Sequence, residues 1–209
     1  MADGKRVYRS ELRAEQARRT RAAVLDAAGR SFVERGYAGT TMRDIADAAG
    51  VSVQTVFGQG SKAALLLACL DRAVVGDDES DPLIARGPVL RMLAAQDKGE
   101  KLQVMRELAV RTIPATAPIH RAFASAAAVD PELAAAWNEY ERRRYQDYRA
   151  VIESFVPWLR EEFDVGRPAD VFWAVFSDAT ADAFIEARGW TLDDYADWLV
   201  DAFDRMLLR

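Results

Sequence analysis

The chain has 209 residues, of which half are hydrophobic, and a formal net charge of −5. This composition supplies a sizeable core and excludes a wholly disordered chain, and no apolar run approaches the ~20 residues of a membrane-spanning helix. The single cysteine, Cys69, excludes an internal disulfide and is typical of a reducing compartment. The polar N-terminus lacks the apolar segment of a secretion signal, so we expect a cytoplasmic protein.

The charge is unevenly distributed along the chain. Residues 1–72 hold 12 lysines and arginines against 8 acidic residues, whereas residues 73–209 hold 16 against 25. A basic front and an acidic remainder are expected when only one end of a protein meets a polyanion. Chance scatter of surface charge is the alternative explanation.

The apolar residues recur at spacings of three and four, and strand-like alternation is absent, which predicts an all-α protein. The first helix is predicted over residues 18–33, with Gly36 as its stop signal. Thr41 and Asp44 have the spacing of a capping box at the start of a second helix, which ends at Gly50.

Two further helices are predicted before the end of this part of the chain. Ser52 caps a third helix, which ends at about Phe57 because Gly58 and Gly60 come next. A fourth helix is predicted over residues 61–75.

The polar segment "GDDESDP", residues 76–82, predicts a boundary between a first domain, 1–75, and a second domain, 76–209. The apolar pattern and the capping signals predict six more helices in the second domain. They span residues 88–95, 98–113, 118–129, 130–163 with a bend at Pro157, 168–187 and 192–208.

The second and third helices, joined at Ala49-Gly50, form a helix-turn-helix pattern, in which the glycine supplies the left-handed conformation of the turn. The helical spacing predicts that one face of the third helix packs inward, through Val53, Val56 and Phe57. The opposite face consists of Ser52, Gln54 and Thr55. A glutamine amide can pair with the adenine edge, and serine and threonine hydroxyls can contact bases or phosphates.

Residues 18–66 resemble the DNA-binding domain of the TetR (tetracycline-repressor) family of bacterial regulators, through "RRTRAAVLDAAGRSFVERGYAGTTMRDIADAAGVSVQTVF" and "SKAALL". The remainder shares a helical plan with the family, and "RGWTLDDYADWLVDAF" is also similar to it. The resemblance implies a three-helix helix-turn-helix domain and a larger C-terminal helical bundle for ligand binding and dimerisation. It also implies a homodimeric transcriptional regulator, a repressor that leaves a near-palindromic DNA operator when a small-molecule effector binds.

The resemblance also implies roles for individual residues. Thr41 and Arg43 would contact phosphates, Gln54 and Thr55 would lie in the major groove, and Lys62 would hold a phosphate near the start of the fourth helix. A flexible basic arm, Lys5, Arg6 and Arg9, would reach the DNA backbone or the minor groove. A solvated tail without a DNA contact is the alternative for these three residues.

The joint between the third and fourth helices departs from the family pattern. Phe57 stands where members usually carry tyrosine, and the segment from Gly58 to Ser61 is one residue short. Phe57 cannot donate a hydroxyl hydrogen bond to phosphate. The glycines are expected to expose backbone N–H groups that can bind phosphate instead, with Gln59 as a further candidate contact. We therefore expect an altered affinity or operator choice.

The last predicted helix carries an apolar stripe that suits a dimer interface, with packing inside the monomer as the alternative. Its members are Tyr195, Trp198, Leu199, Ala202, Phe203 and Met206. The long helix carries an aromatic stripe with Arg144 in its middle, and that charge requires a partner if it is buried. The partner would be Asp178, Asp182 or an anionic ligand. The candidate ligand-binding residues are Trp137, Tyr140, Arg144, Tyr148, Met92, Met105, Trp173 and Phe176.

Other classes of function have less support in the sequence. The only histidine, His120, excludes a multi-histidine metal site, so no metal or cofactor is expected, and nothing in the spacing pairs His120 with Cys69 as a catalytic base and nucleophile. The segment "GQGSK" lacks the spacing and the preceding strand of a nucleotide-binding loop. A helical dimer that has lost DNA binding through the Gly58–Gly60 change and binds only a ligand or a protein remains an alternative.

Overall fold

The computed structural model describes residues 3–75 and 87–209, with side chains for 12–74 and 89–209. Every long regular element in these ranges is a helix, so the predicted all-α fold is confirmed. None of the described helices is both long and apolar enough to cross a membrane. The helices are α1 (Asp3–Arg35), α2 (Met42–Ala49), α3 (Val53–Phe57), α4 (Lys62–Val75), α5 (Gly87–Ala94), α6 (Lys98–Ala127), α7 (Pro131–Glu153), α8 (Gly166–Val175), α9 (Asp178–Ile185) and α10 (Leu192–Leu207).

The chain divides into two compact units, Met1–Arg72 and Ala73–Arg209. In the first unit, α2 packs against both α1 and α3. In the second, α6 packs against α5, α7, α9 and α10, and α7 also packs against α8. The polar segment 76–82, which was predicted to mark the domain boundary, lies outside the described residues.

Local signals set the helix-turn-helix as the sequence predicts. The Thr41 hydroxyl accepts from the Asp44 amide at 3.1 Å, and the Asp44 carboxylate accepts from the Thr41 amide at 2.9 Å, so the capping box is present. Gly50 ends α2 with φ of +67°, in the left-handed region. Ser52 caps α3 by accepting from the Thr55 amide at 3.0 Å. These contacts position α3.

Helix α1 is longer than predicted. It begins at Asp3 instead of residue 18, because the intervening sequence is rich in helix-forming residues and Glu15 pairs with Arg18 and Arg19 one turn away. The prediction of a flexible basic arm is therefore wrong for the backbone, since Lys5, Arg6 and Arg9 belong to this helix. The side chains of these three residues lie outside the described part of the chain.

The prediction of two helices over residues 98–129 is also wrong, because α6 continues through Pro114 and Pro118. A proline inside a helix cannot donate the hydrogen bond to the carbonyl four residues earlier. Packing against four other helices holds α6 together despite these two losses. The hydroxyl of Thr112 donates to the Leu108 carbonyl one turn earlier in the same stretch.

Two predicted long helices are shorter in the structure. Helix α7 ends at Glu153 and is followed by a short 3-10 turn, Val156–Trp158, that contains Pro157, whereas a helix to residue 163 was predicted. The predicted helix 168–187 is split into α8 and α9, because the Ser177 hydroxyl accepts from the Thr180 amide at 3.2 Å and caps a new helix.

The core of the second unit is largely aromatic. Phe203 of α10 contacts Phe155, Phe172 and Phe176, with ring centroids 5.0–5.6 Å apart. Of the predicted dimer stripe, Tyr195, Leu199 and Phe203 are buried within this unit and cannot add area to an interface. The remaining members are partly or largely exposed, namely Trp198, Ala202 and Met206.

Replacing Gly50 tests the left-handed conformation that ends α2. We expect Gly50→Ala to lower the free energy of unfolding by about 1–2 kcal/mol, because a Cβ is disfavoured at this φ even though no atom lies within 4 Å of its position. Gly50→Asn is the control, since asparagine tolerates this conformation better. Urea denaturation measures both variants, and equal losses would contradict the assignment of the cost to backbone conformation.

Candidate functional site

Helix α3 presents a small polar face to solvent. Gln54 and Ser52 are exposed, and Thr55 is half-buried. The Ser52 and Thr55 hydroxyls lie 2.8 Å apart and hydrogen-bond to each other. Val56, on the other side of the helix, is fully buried. The Gln54 amide is therefore the longest polar group on the outer face of this helix.

The prediction that Phe57 packs inward is wrong, because its side chain is 61% exposed. The buried direction of α3 is centred on Val56, and the next residue is rotated from it by about 100° around the helix axis. Since α3 ends at Phe57, no further turn covers this ring. An exposed aromatic side chain therefore lies next to the polar face that carries Gln54.

The glycine joint does not offer the free backbone N–H groups that we expected. The amides of Gly58, Gln59 and Gly60 donate to the carbonyls of Gln54, Val56 and Phe57 at 3.0, 2.9 and 3.1 Å. A tight turn that ends α3 thus uses the donors that were predicted to bind phosphate.

The joint requires a glycine at its last position, since Gly60 has φ of +131° and a Cβ there would lie 3.1 Å from the Ala64 side chain. Gln59 is half-buried, and its side-chain oxygen accepts from Arg21 at 3.5 Å. This contact turns Gln59 toward α1.

Lys62 has an intramolecular role that the sequence did not indicate. Its ammonium donates to the main-chain carbonyls of Tyr37 and Thr40 at 2.9 and 3.0 Å and lies 4.0 Å from the centre of the Tyr37 ring. These contacts tie the start of α4 to the turn between α1 and α2. These hydrogen bonds use two of the three ammonium N–H groups.

Arg43 differs from Lys62 in its surroundings. It is exposed in the first turn of α2 and makes no hydrogen bond or ion pair with any residue whose side chain the structure describes. The hydroxyl of Thr41, by contrast, is already engaged in the capping box. Arg43 can therefore contact a phosphate without giving up a contact to any described residue.

A buried ion pair occupies the centre of the second candidate site. Arg144 donates to Glu141 Oε2 at 2.8 and 3.2 Å, and the two side chains are only 11% and 16% exposed. The prediction of Asp178 or Asp182 as the partner is wrong, because Glu141 lies three residues earlier on the same helix and is closer. Asp178 instead accepts from the Thr116 hydroxyl at 2.6 Å, and Asp182 pairs with Arg121.

Aromatic side chains from two helices surround this pair. The Arg144 guanidinium lies 5.2 Å from the centre of the Tyr148 ring and 5.3 Å from that of Trp173. The Trp173 indole donates to Glu141 Oε2 at 2.9 Å, and the Tyr148 hydroxyl donates to the Phe176 carbonyl at 2.9 Å. The structure therefore brings several of the predicted ligand-binding residues together.

His120 of α6 is a member of this cluster that the ligand-site prediction left out. Its ring lies 4.7 Å from Trp137 and 6.4 Å from Tyr140, between centroids, and its Nε2 is 3.7 Å from Glu141 Oε1. Burial raises the pKa of Tyr140 well above its usual value, so this phenol stays protonated. The available sequence signal for His120 was weak, namely a lone histidine among apolar residues.

Two of the predicted ligand-binding residues, Met92 and Met105, belong to the hydrophobic core of the second unit, and Phe176 is also buried there.

Burial raises the pKa of Cys69 to about 12, and its thiol donates to the Leu25 carbonyl at 3.4 Å. A neutral, buried thiol is not a nucleophile. Among the described residues, no group of three or more histidine, cysteine, aspartate or glutamate side chains is placed to hold a metal ion.

Comparison with known proteins matches part of the first unit to a family. Residues 24–69 match the family of bacterial regulatory proteins named tetR, in agreement with the resemblance seen in the sequence. Over 80 residues the chain is 41% identical to the HTH-type transcriptional regulator TtgR of Pseudomonas putida. This match covers 33% of the chain and 38% of TtgR, well under two thirds of the relative's length.

Solved structures share the fold along most of the chain. NalD, the secondary repressor of the MexAB-OprM multidrug efflux pump in Pseudomonas aeruginosa, has a TM-score of 0.65 and 19% identity, over 93% of this chain and 98% of NalD. A transcriptional regulator from Saccharomonospora viridis in complex with choline has a TM-score of 0.68 and 22% identity, over 90% of this chain and 97% of that protein. The chain therefore shares the fold of these two proteins along most of its length.

The different surroundings of Lys62 and Arg43 give a test of whether the contacts of Lys62 stabilise the fold. Lys62→Ala is expected to lower the free energy of unfolding by about 1–3 kcal/mol, since it leaves two part-buried carbonyls without their charged donor. Arg43→Ala is the matched control and should leave stability unchanged. Chemical denaturation of both variants measures the difference, and an unchanged stability of Lys62→Ala would show that its contacts are not structural.

Proposed function

We propose that the chain is a DNA-binding transcriptional regulator that acts as a homodimer on a near-palindromic operator and responds to a small-molecule effector. The observation that carries this proposal is the exposed polar face of α3, within a helix-turn-helix whose residues 24–69 match the tetR family. A repressor that the effector releases is the form of regulation that the resemblance favours.

Base recognition falls mainly to Gln54. Its exposed amide has the donor and acceptor pair that matches adenine N6 and N7 in the major groove. The Ser52 and Thr55 hydroxyls lie beside it and can contact bases or phosphates. Phe57 offers an apolar surface, which suits a thymine methyl group better than a phosphate.

Phosphate contacts fall to the cations and hydroxyls at the helix starts. Arg43 is exposed and free of intramolecular partners among the described residues, so it can neutralise a phosphate without breaking a contact. Thr41 lies in the same turn and can donate only if it releases Asp44. Lys62 contributes its third N–H group, while Lys5, Arg6, Arg9 and Gln59 stay secondary candidates.

The effector would bind in the second unit, beside the cluster of Trp137, Tyr140, Arg144, Tyr148 and Trp173. The S. viridis neighbour is known in complex with choline, and SmeT, another structural neighbour, in complex with triclosan, which supports a small-molecule role for this fold. An effector that binds the DNA-competent and DNA-free states unequally would shift the balance between them.

Dimerisation through α10 would use the side chains that the monomer leaves accessible. Trp198, Ala202 and Met206 are such side chains. A two-fold dimer presents two copies of α3 and therefore recognises two half-sites of opposite orientation.

A selection from random-sequence duplexes tests base recognition. Gln54→Ala is expected to relax the preference at one base pair per half-site, at a cost of roughly 1–3 kcal/mol for the favoured base. Phe57→Ala provides a second variant on the same face. An unchanged selection profile for Gln54→Ala would remove this residue from the recognition set.

The phosphate role of Arg43 has a different signature. Arg43→Ala should weaken all sequences alike and lower the slope of log affinity against log salt by about 1–2 for the dimer. Asp47→Ala, an exposed change on the same helix that removes a negative charge, is the matched control and should not lower the slope. A change in base preference with an unchanged slope would contradict the phosphate role.

A further inference from the structure

We propose that His120 Nε2 and Glu141 Oε1 form the polar anchor of the effector site and select an effector that carries a neutral hydroxyl group on an aromatic skeleton. This inference rests on the proposed effector role of the second unit and names the chemical class of the effector.

The first observation is a pair of buried polar atoms without partners. His120 Nε2 and Glu141 Oε1 both lack a hydrogen-bond partner, and their side chains are 8% and 16% exposed. The 3.7 Å between the two atoms is too long for a hydrogen bond between them. Buried polar groups are almost always satisfied, so the unpartnered pair is a place where a polar group from outside the chain, a water molecule or a ligand, can bind.

The second observation is that the carboxylate is held in place. Glu141 Oε2 accepts from Arg144 at 2.8 and 3.2 Å and from the Trp173 indole at 2.9 Å. All three bonds go to the same oxygen, which leaves Oε1 turned toward His120 with its acceptor capacity unused. An anchor whose orientation is set by other contacts loses little entropy when a ligand binds.

The third observation concerns the charge of the site. Burial raises the pKa of Glu141, but the neighbouring His120 and Arg144 outweigh it and hold the pKa below its usual value, so the carboxylate is ionised near neutral pH. An ionised Oε1 can only accept, and a ligand must donate to it. Arg144 already neutralises this carboxylate, so a second cation would meet repulsion from the guanidinium.

A hydroxyl group meets both requirements from one atom. It can donate its hydrogen to Glu141 Oε1 and accept from His120 Nε2–H, and it brings no charge. The Asp178 carboxylate, which accepts from Thr116 one helical turn before His120, is the group that would favour an ammonium instead. An amine is therefore the competing ligand in the test.

Aromatic rings lie beside the anchor and favour a ligand with an aromatic skeleton. Tyr148 and Trp173 lie against the Arg144 guanidinium, whereas Trp137 and Tyr140 are the rings next to His120. Trp137 and Tyr140 are 5.9 Å apart between centroids. A flat ring attached to the hydroxyl would contact these two side chains.

Matched ligands test the proposal on the unmodified protein. The probes are benzyl alcohol and naphthalen-2-ylmethanol, each with its methyl ether and its amine, and isothermal titration calorimetry measures their affinities. We expect at least one alcohol to bind, and to bind at least tenfold tighter than its ether and its amine. Tighter binding of the amine, equal binding of the ether, or no binding of either alcohol would overturn the proposal.

A substitution then tests the anchor. His120→Phe keeps a ring against Trp137 and removes Nε2, so the thermal midpoint without ligand should be equal to or above that of the unmodified protein. The affinity for the alcohol should fall at least tenfold and that for the ether should not change. A lower midpoint together with unchanged alcohol affinity would mean that His120 only stabilises Glu141, which would overturn the proposal.

A second pair of variants distinguishes the loss of the Glu141 contact from the loss of a negative charge elsewhere on the same helix. Glu141→Gln should lose the preference for the alcohol, whereas Glu139→Gln, an exposed change on the same helix whose side chain pairs with Arg142, should retain it. Equal effects of the two variants would overturn the proposal.

DNA binding is measured separately, on duplex without ligand, where His120→Phe should match the unmodified protein. Absence of DNA binding in both, with the alcohol preference intact, would refute the proposed function and leave this inference standing. DNA binding without any alcohol preference would refute only the inference.

Discussion

The ammonium of Lys62, held between the carbonyls of Tyr37 and Thr40, joins the start of α4 to the turn that precedes the helix-turn-helix. Helix α3 has only five residues, which is too short to be stable alone. Its orientation depends on its contact with α2, on Val56 in the core, and on a glycine joint that leads directly into α4. The contacts of Lys62 fix the position of the end of the joint that leads into α4. The helices on both sides of α3 therefore position its exposed face, which carries Gln54.

In the second unit, a buried carboxylate fixes the positions of the side chains around it. Glu141 collects the donors of Arg144 and Trp173 on one oxygen and keeps the aromatic side chains of α7 and α8 in a defined arrangement. Hydrogen bonds offset the cost of burying the carboxylate on that side only, because Glu141 Oε1 and His120 Nε2 have no hydrogen-bond partner within the chain. A site that is complete except for one polar contact is suited to respond to a ligand that supplies it.

The features that depend on neighbouring residues could be predicted from the sequence, and those that depend on packing could not. The Thr41–Asp44 capping box and the left-handed Gly50 are local, and both are present as predicted. The exposure of Phe57, the burial of Tyr195 within the monomer and the continuity of α6 through Pro114 follow from what packs around them. The Arg144 partner has a local sequence signal, because Glu141 lies three residues earlier on the same helix. Asp178 and Asp182, which the sequence analysis named, lie on a different helix.

We propose that the helix-turn-helix, with its altered joint, recognises a DNA sequence. The most direct measurement is selection of fragments from the host's genomic DNA by the purified protein over a series of salt concentrations. We expect enrichment of a short palindrome, with binding that weakens steeply as salt rises. Absence of binding at low salt by a folded protein, or salt-sensitive binding without any enriched sequence, would contradict it.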